Sequence, residues 1–407
     1  MKDNKIFIQI AAYRDPELIP TIKNCIQTAK YPELLSFGIC WQHAPEDAWD
    51  DLSEFKSDPR FTIFDVDWSA SKGLGWARQI TQQLYKGEMY TLQLDSHHRF
   101  IPNWDEELIQ MMKQTNSDKP ILTTYGAPYT PGEPLTDPGP YIMVGKKFSS
   151  YGTILFYPTP LPGHNTLSAP IPARFVSGHF FFTLGKHCIE YKYDPDIYFA
   201  GDEISLSIRS FTLGYDIFHP HKTVIWHEYT REGRKKHWDD FTLRNDKTPV
   251  LWHELDCSSK KKLRQLLREE DNRIDLGEFG LGNVRTHKEY EDYAGINFNL
   301  RLLHPDTVYG KNPPVNSYNY NWELATEYSY TLDIPTIDMH GIQFIYVSID
   351  TMENITLYRT DLITHVSKLN VTVKSHLLPH HWVFWPYYKT TGWGDKQDFS
   401  LPLSKCN

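Results

Sequence analysis

Ile6-Phe7-Ile8-Gln9-Ile10-Ala11-Ala12 is a nearly unbroken apolar run of strand length. After Tyr13-Arg14-Asp15-Pro16-Glu17 it gives way to Leu18 to Ala29, where Leu18, Ile22 and Ile26 recur at helical spacing. An apolar run of this kind reads as a buried strand, and a strand feeding a helix is the first half of a parallel crossover unit. The alternation continues outward. Leu35 to Trp41 predicts a second strand, Phe61 to Val66 a third, Ala77 to Tyr85 a helix, and Met89 to Leu94 a fourth strand that stops at Asp95. Strands alternating with helices imply an α/β fold whose sheet is mostly parallel, with ligands gathered beyond the carboxyl ends of the strands.

Downstream the texture changes. From about Ile296 onward the chain is rich in Pro, Asn and Tyr and carries alternating strands such as Gln343 to Ile349 and Leu369 to Val373. Two domains are therefore expected: an α/β domain over residues 1–295 and a smaller accessory β-rich domain over 296–407. Pro/Gly-rich stretches, Pro128 to Pro140 and Pro158 to Pro172, read as long loops, either lids over a cleft or plain surface insertions. Ser258 to Arg268 reads as a basic helix with a solvated face.

Composition narrows the function classes. Forty-two Lys and Arg against 51 Asp and Glu leave a charge of −9 over 407 residues, which argues against nucleic acid and anionic lipid as partners. No apolar run approaches the roughly 18 residues of a membrane span. Five cysteines, Cys25, Cys40, Cys188, Cys257 and Cys406, are widely spaced and form no C-x-x-C pair, so a reducing compartment is expected. With no convincing signal segment before Ile6, the expected location is cytoplasmic, and the sequons at Asn354 and Asn370 have no evident route to glycosylation.

Chemistry concentrates in Leu92-Gln93-Leu94-Asp95-Ser96-His97, an apolar strand ending in Asp-x-His. One carboxylate and one imidazole two residues apart can project together into a cleft and hold a hard divalent ion while leaving positions open for phosphate oxygens. The plainer reading is a pair of turn-capping side chains. His219, His221 and His227 form a second set, and His227, closing Val224-Ile225-Trp226, would supply a third ligand. After it, Arg231, Arg234, Lys235 and Lys236 either neutralise a diphosphate or form an ordinary basic loop.

Three further stretches matter. Gly201-Asp202-Glu203 opens a helix, where its acids either favour the dipole or hold sugar hydroxyls. Gly178, within Val176-Ser177-Gly178-His179-Phe180, allows close approach of the backbone to a ligand. Ser71-Lys72-Gly73-Leu74-Gly75-Trp76-Ala77-Arg78 matches neither a P-loop nor a three-glycine dinucleotide fingerprint, yet Lys72 and Arg78 can contact phosphate or base.

Ile10-Ala11-Ala12-Tyr13-Arg14-Asp15, Gly38-Ile39-Cys40-Trp41-Gln42, Asp95-Ser96-His97-His98-Arg99-Phe100 and Gly201-Asp202-Glu203-Ile204 together resemble the cytoplasmic polypeptide-hydroxyproline α-N-acetylglucosaminyltransferases over residues 5 to 240. Those are retaining glycosyltransferases with a GT-A fold, a Rossmann-like mixed sheet flanked by helices. Asp-x-His alone is shared with polypeptide N-acetylgalactosaminyltransferases. The resemblance implies a UDP-sugar donor, UDP-GlcNAc first, a Mn2+ or Mg2+ cofactor, and a protein or glycan acceptor. It implies that Tyr13, Arg14 and Asp15 form the uridine-side loop and that Arg78 contacts the donor. It further places Asp95 and Ser96 at the donor, Asp95, His97 and His227 at the metal, and Asp202 with Glu203 in the sugar pocket. Two alternatives remain from the residues themselves: a zinc hydrolase built on His97, His219, His221 and His227, and a non-catalytic carbohydrate-binding protein.

Overall fold

β1 (Ile6–Tyr13) is buried along nearly its whole length, as an apolar run in the middle of a sheet must be. The computed structural model describes residues 4–149, 152–230, 233–269, 274–314, 322 and 325–401. After the helix Leu18–Thr28 come β2 (Leu35–His43), β3 (Phe61–Asp67), the helix Leu74–Gln83 and β4 (Tyr90–Leu94). These lie within a residue or two of the sequence expectation at most ends. The exception is the second helix, which starts at Leu74 instead of Ala77. Gly73 has φ +105°, and the N–H groups of Leu74 and Gly75 donate to the carbonyls of Tyr198 and Ile197, so a distant loop caps the early start. A Cβ on Gly75 would lie 2.4 Å from the Ile197 carbonyl oxygen, which is why glycine stands there.

Beyond β4 the order is β5 (His98–Phe100), the helix Trp104–Gln114, β6 (Pro120–Thr123), β7 (Ala127–Pro128) and a hairpin of β8 (Tyr141–Phe148) with β9 (Ile154–Pro160). Then follow β10 (Ile171–Pro172), β11 (Phe180–Leu184), the helix Asp202–Thr212, β12 (Asp216–His219) and β13 (Ile225–His227). Among the described residues the main sheet runs β10-β12-β6-β11-β4-β1-β2-β3. β1, β2, β3 and β4 are parallel, whereas β11 runs antiparallel to both β4 and β6. The sheet is thus mixed and flanked by helices, as the resemblance implies, with β10–β12 and both β11 pairings antiparallel where strand–helix alternation alone predicts a mostly parallel sheet.

Side-chain parity divides the core between the two faces. Ile8, Ile10, Leu92, Leu94, Phe180 and Phe182 pack with Leu18, Ile22, Trp104 and Leu108 on one side. Phe181, Ile121 and Ile217, of opposite parity, pack with Leu206, Tyr191 and Tyr193 on the other. A small second sheet, β5-β13-β7, sets His227 opposite His98 in register.

The backbone divides into two units, Met1–Val144 with Pro158–Ala294, and Gly145–Tyr157 with Gly295–Asn407. The second also takes in part of the β8–β9 hairpin, an excursion that the sequence reading did not mark. Its strands Thr326–Asp333 and Lys368–Ser375 pair antiparallel, and Ile342–Asp350 pairs with Thr356–Leu362 and His381–Tyr388. Alternation puts Tyr328, Tyr330, Ile345, Val347, Val371, Val373 and Phe384 in one apolar core. Across the described residues no helix is long and apolar enough to cross a membrane.

Candidate active site

Strand direction decides what meets at the carboxyl end of β4. β1 runs parallel to β4 and delivers Tyr13 to Asp15 there; β11 runs antiparallel and starts there, its Phe180 opposite Leu94, so Gly178 and His179 lie at the same edge. The Asp95 N–H donates to the His179 carbonyl at 3.1 Å.

Asp95, His97 and His227 converge as the sequence expects, each offering one ligand atom within 4.8 Å of the others. Asp95 Oδ2 stands 3.7 Å from His97 Nε2 and 3.8 Å from His227 Nε2, too far for hydrogen bonds and suited to a shared ion. Neither ring nitrogen of the buried His227 has a hydrogen-bond partner among the described residues. An unpartnered buried imidazole is costly unless something occupies it, so this set of one carboxylate and two imidazoles fits a divalent ion. Burial works to raise the Asp95 pKa, but His227, Arg78 and His97 outweigh it and hold the carboxyl well below its usual range. Burial holds His227 well below the ordinary histidine range, hence neutral and able to coordinate.

His97 is oriented from behind. Its Nδ1 lies 2.8 Å from Asp15 Oδ2, which also accepts from Ser96 Oγ at 2.7 Å and from Arg234 at 2.8 Å. With its Nδ1 held between the Asp15 carboxylate and the Arg234 guanidinium, the ring turns Nε2 toward Asp95. Burial opposes the charge on Asp15, yet the bonds from His97, Arg234 and Ser96 keep it ionised far below the normal range. Asp15 and Ser96 are therefore positioning residues for the His97 ring.

Arg78 ties the two halves of the site together. Its guanidinium donates to Asp95 Oδ1 at 3.0 Å and to Asp202 Oδ2 at 2.6 Å, and only 3% of its side chain is exposed. Burial raises the Asp202 pKa although Arg78 pulls it down. Glu203 accepts from the Gly178 N–H at 2.9 Å and from the Tyr125 hydroxyl at 2.8 Å, and burial pushes its pKa up to about 7. A Cβ on Gly178 would come within 3.0 Å of Asp202 Oδ2 and 3.2 Å of Glu203, so glycine lets these acids approach the strand end.

A cleft of about 140 Å³ opens at Asp95 and His97, walled also by Tyr13, Arg234, Lys235, Lys236 and Trp238. Lined by basic groups together with the carboxylate–histidine set, Arg234 itself touching Asp15 and His97, it can hold a diphosphate together with a cation.

A family model described as Glycosyltransferase (GlcNAc) matches residues 5–59 and 53–300. The chain belongs to this glycosyltransferase family. Among solved structures, GalNAc-T7 with UDP, GalNAc and Mn2+ is 13% identical, with a TM-score of 0.49 over 99% of this chain and 79% of that one. S. aureus TarS 1-349 in complex with UDP-GlcNAc is 10% identical, with a TM-score of 0.39 over 67% of this chain and 68% of that one. At these scores neither likeness bears on donor or metal. No curated protein matches the sequence.

Other expectations for the glycosyltransferase meet the structure unevenly. Tyr13 lines the cleft, its hydroxyl donating to Asp240 at 2.9 Å. Arg14 does not line it: three carboxylates, of Glu46, Asp47 and Asp240, occupy its guanidinium at 2.7–3.2 Å, so it braces the loop. Lys72 is exposed and also outside the cleft lining. Arg231 lies outside the described residues. The set His97, His219, His221 and His227 does not assemble. His219 is taken up by the Thr123 carbonyl at 2.8 Å and the Met143 N–H at 3.3 Å, and His221 lines a separate depression beside Asp137 and His164. Sequence reading missed His179 and Tyr125, which carry no local pattern and reach the site only through β11 and the turn after β6.

Buried neutral histidines give this glycosyltransferase a pH-dependent stability. Burial lowers His179 and His187 to about 3, and His219 and His237 to about 4. The unfolded chain binds more protons than the folded one below the usual histidine value of about 6.5, so stability falls as pH drops from there toward 4. Glu203, raised by burial to about 7, acts in the opposite sense but is outnumbered. Urea unfolding at pH 7 and pH 5 is expected to show lower stability at pH 5; equal or greater stability there would refute the buried neutral state of these rings.

Proposed function

We propose that the chain transfers N-acetylglucosamine from UDP-GlcNAc to a hydroxyl of a protein or glycan acceptor, with retention of configuration and an α linkage. The resemblance to polypeptide-hydroxyproline N-acetylglucosaminyltransferases prompts this reading. The observation that carries it is the junction at the β4 end, where Arg78 links the Asp95–His97–His227 set to Asp202 beneath a cleft walled by basic residues. Residues 1–295 would be catalytic and 296–407 accessory. Among the described residues Cys25, Cys40, Cys188 and Cys257 are free, compatible with a cytoplasmic setting.

Asp95, His97 and His227 would hold Mn2+ or Mg2+. When bound, the ion supplies positive charge against the leaving diphosphate. The chain's own groups do the rest. Tyr13 and Trp238 line the cleft, where a uracil ring would lie, and Lys235 and Lys236, beside an Arg234 held by Asp15 and Glu228, would meet the phosphates. Asp202 and Glu203 would accept hydrogen bonds from sugar hydroxyls, and Gly178 lets both acids approach the strand end. No carboxylate nucleophile is needed if the departing diphosphate takes the acceptor proton on the same face, leaving orientation and charge stabilisation to the protein.

Incubation with a panel of nucleotide sugars, following UDP release, tests the reading: UDP-GlcNAc is expected to give the fastest release, and absence of release from every donor would overturn it. Glu203→Gln keeps the shape and the Gly178 contact but removes the charge, and is expected to fold normally while lowering kcat/KM by roughly 10–100-fold. Near-normal turnover in both Glu203→Gln and Asp202→Asn would reduce the acidic turn to a helix-start feature.

A further inference from the structure

Beside the Asp95 set lies a second group of ligand atoms. His98, His179 and His227 each bring a ring nitrogen within 4.8 Å of the other two. Their backbones enforce this: His98 and His227 are register partners on β5 and β13, and His179 immediately precedes β11. Ring centroids lie 5.3 Å apart for His98 and His179, 4.9 Å for His98 and His227, and 4.1 Å for His179 and His227.

Geometry fixes the His98 tautomer, and the His98–His179 contact is a hydrogen bond that an ion would displace. His98 Nδ1 lies 3.0 Å from the Asp95 carbonyl oxygen, which can only accept, so the proton sits on Nδ1 and the Nε2 lone pair faces His179 Nδ1 at 3.1 Å. Two imidazole nitrogens on one tetrahedral zinc, with Zn–N bonds of about 2.0–2.1 Å, stand about 3.3 Å apart. The three residues are 0%, 7% and 6% exposed. Among the described residues, His179 Nε2 and both nitrogens of His227 have no partner. Three imidazoles without a carboxylate form a donor set that favours Zn2+ over Mn2+ or Mg2+.

We propose that His98, His179 and His227 form a second metal position, selective for Zn2+, that shares His227 with the Asp95 position. A neutral imidazole has one lone pair, and serving two ions would require loss of its remaining ring proton. Zinc bound here therefore withdraws His227 from Asp95 and His97. The consequence, which rests on the glycosyltransferase reading, is that zinc inhibits transfer in competition with Mn2+.

The test uses the full chain without nucleotide. X-ray absorption of zinc-loaded wild-type protein is expected to show three imidazole ligands; two imidazoles with a carboxylate would overturn the proposal. In zinc titration by calorimetry, Asp95→Asn is expected to stay within about threefold of wild type, while His179→Gln, with an unchanged circular dichroism spectrum, weakens binding at least tenfold. The reverse ranking would equally overturn it. These measurements need no sugar donor, so a failure of the transferase reading leaves the zinc result standing by itself.

Discussion

Replacing His227 by Ala, or Asp95 by Asn, is expected to lower kcat/KM for UDP-GlcNAc by roughly a thousandfold, the upper range for removing one electrostatic stabiliser of a leaving group. Asp95 Oδ2 lies 3.7–3.8 Å from His97 and His227, and the fit to a cation depends on all three atoms. Because this set leaves room for phosphate oxygens, Mn2+ should bind weakly alone and more tightly with UDP. Calorimetric titration of Mn2+ with and without UDP checks the linkage: the difference should vanish in both variants. Asp15→Asn should cost less, about 10–100-fold, because Asp15 acts through the His97 ring and is not itself a ligand. Wild-type turnover in His227→Ala would remove the metal role, and equal Mn2+ affinity with and without UDP in the wild type would remove the linkage.

Arg78→Met is expected to cost about 3–5 kcal/mol of folding stability, the usual effect of removing one partner from a buried ion pair. The guanidinium is the shared donor to Asp95 and Asp202, and Asp202 is only 4% exposed, with Glu203 next in sequence. Without Arg78, burial drives the Asp202 pKa further up. A carboxylate whose folded pKa exceeds its unfolded value stabilises the fold less as pH rises through that interval, so the variant's deficit should be larger at pH 8 than at pH 5. Adding Asp202→Asn should recover part of the loss, since the uncompensated charge is then gone. Urea unfolding of the single and double variants at both pH values measures this, and an Arg78→Met protein as stable as wild type would show that the bridge contributes nothing to folding.

Local pattern determined much of this molecule. Apolar runs of strand length placed β1 to β4, the 3.6-residue recurrence of Leu18, Ile22 and Ile26 placed the first helix, and the stop at Asp95 put Asp-x-His at a strand end. These signals are legible because burial of a strand or helix face constrains consecutive residues. The same holds for the alternating strands after residue 325, where every second side chain enters one core.

What strand periodicity does not encode is which ends meet. His219 and His227 both close short apolar strands, and nothing local separates them. β12 lies three strands from β4, on the order of 14 Å at about 4.8 Å per strand, so His219 turns to Thr123 and Met143 instead. β13 lies outside the main sheet, paired with β5 on one side and β7 on the other, and that placement carries His227 to Asp95. Insertion of β11 antiparallel between β4 and β6 brings Gly178 and His179 to the same edge, and Arg78 meets Asp202 across 124 positions of sequence. Resemblance of motifs could name Asp95, His97 and His227, but the Asp15 bond that orients His97 and the cluster of His98, His179 and His227 exist only through strand order and register, which long-range packing decides.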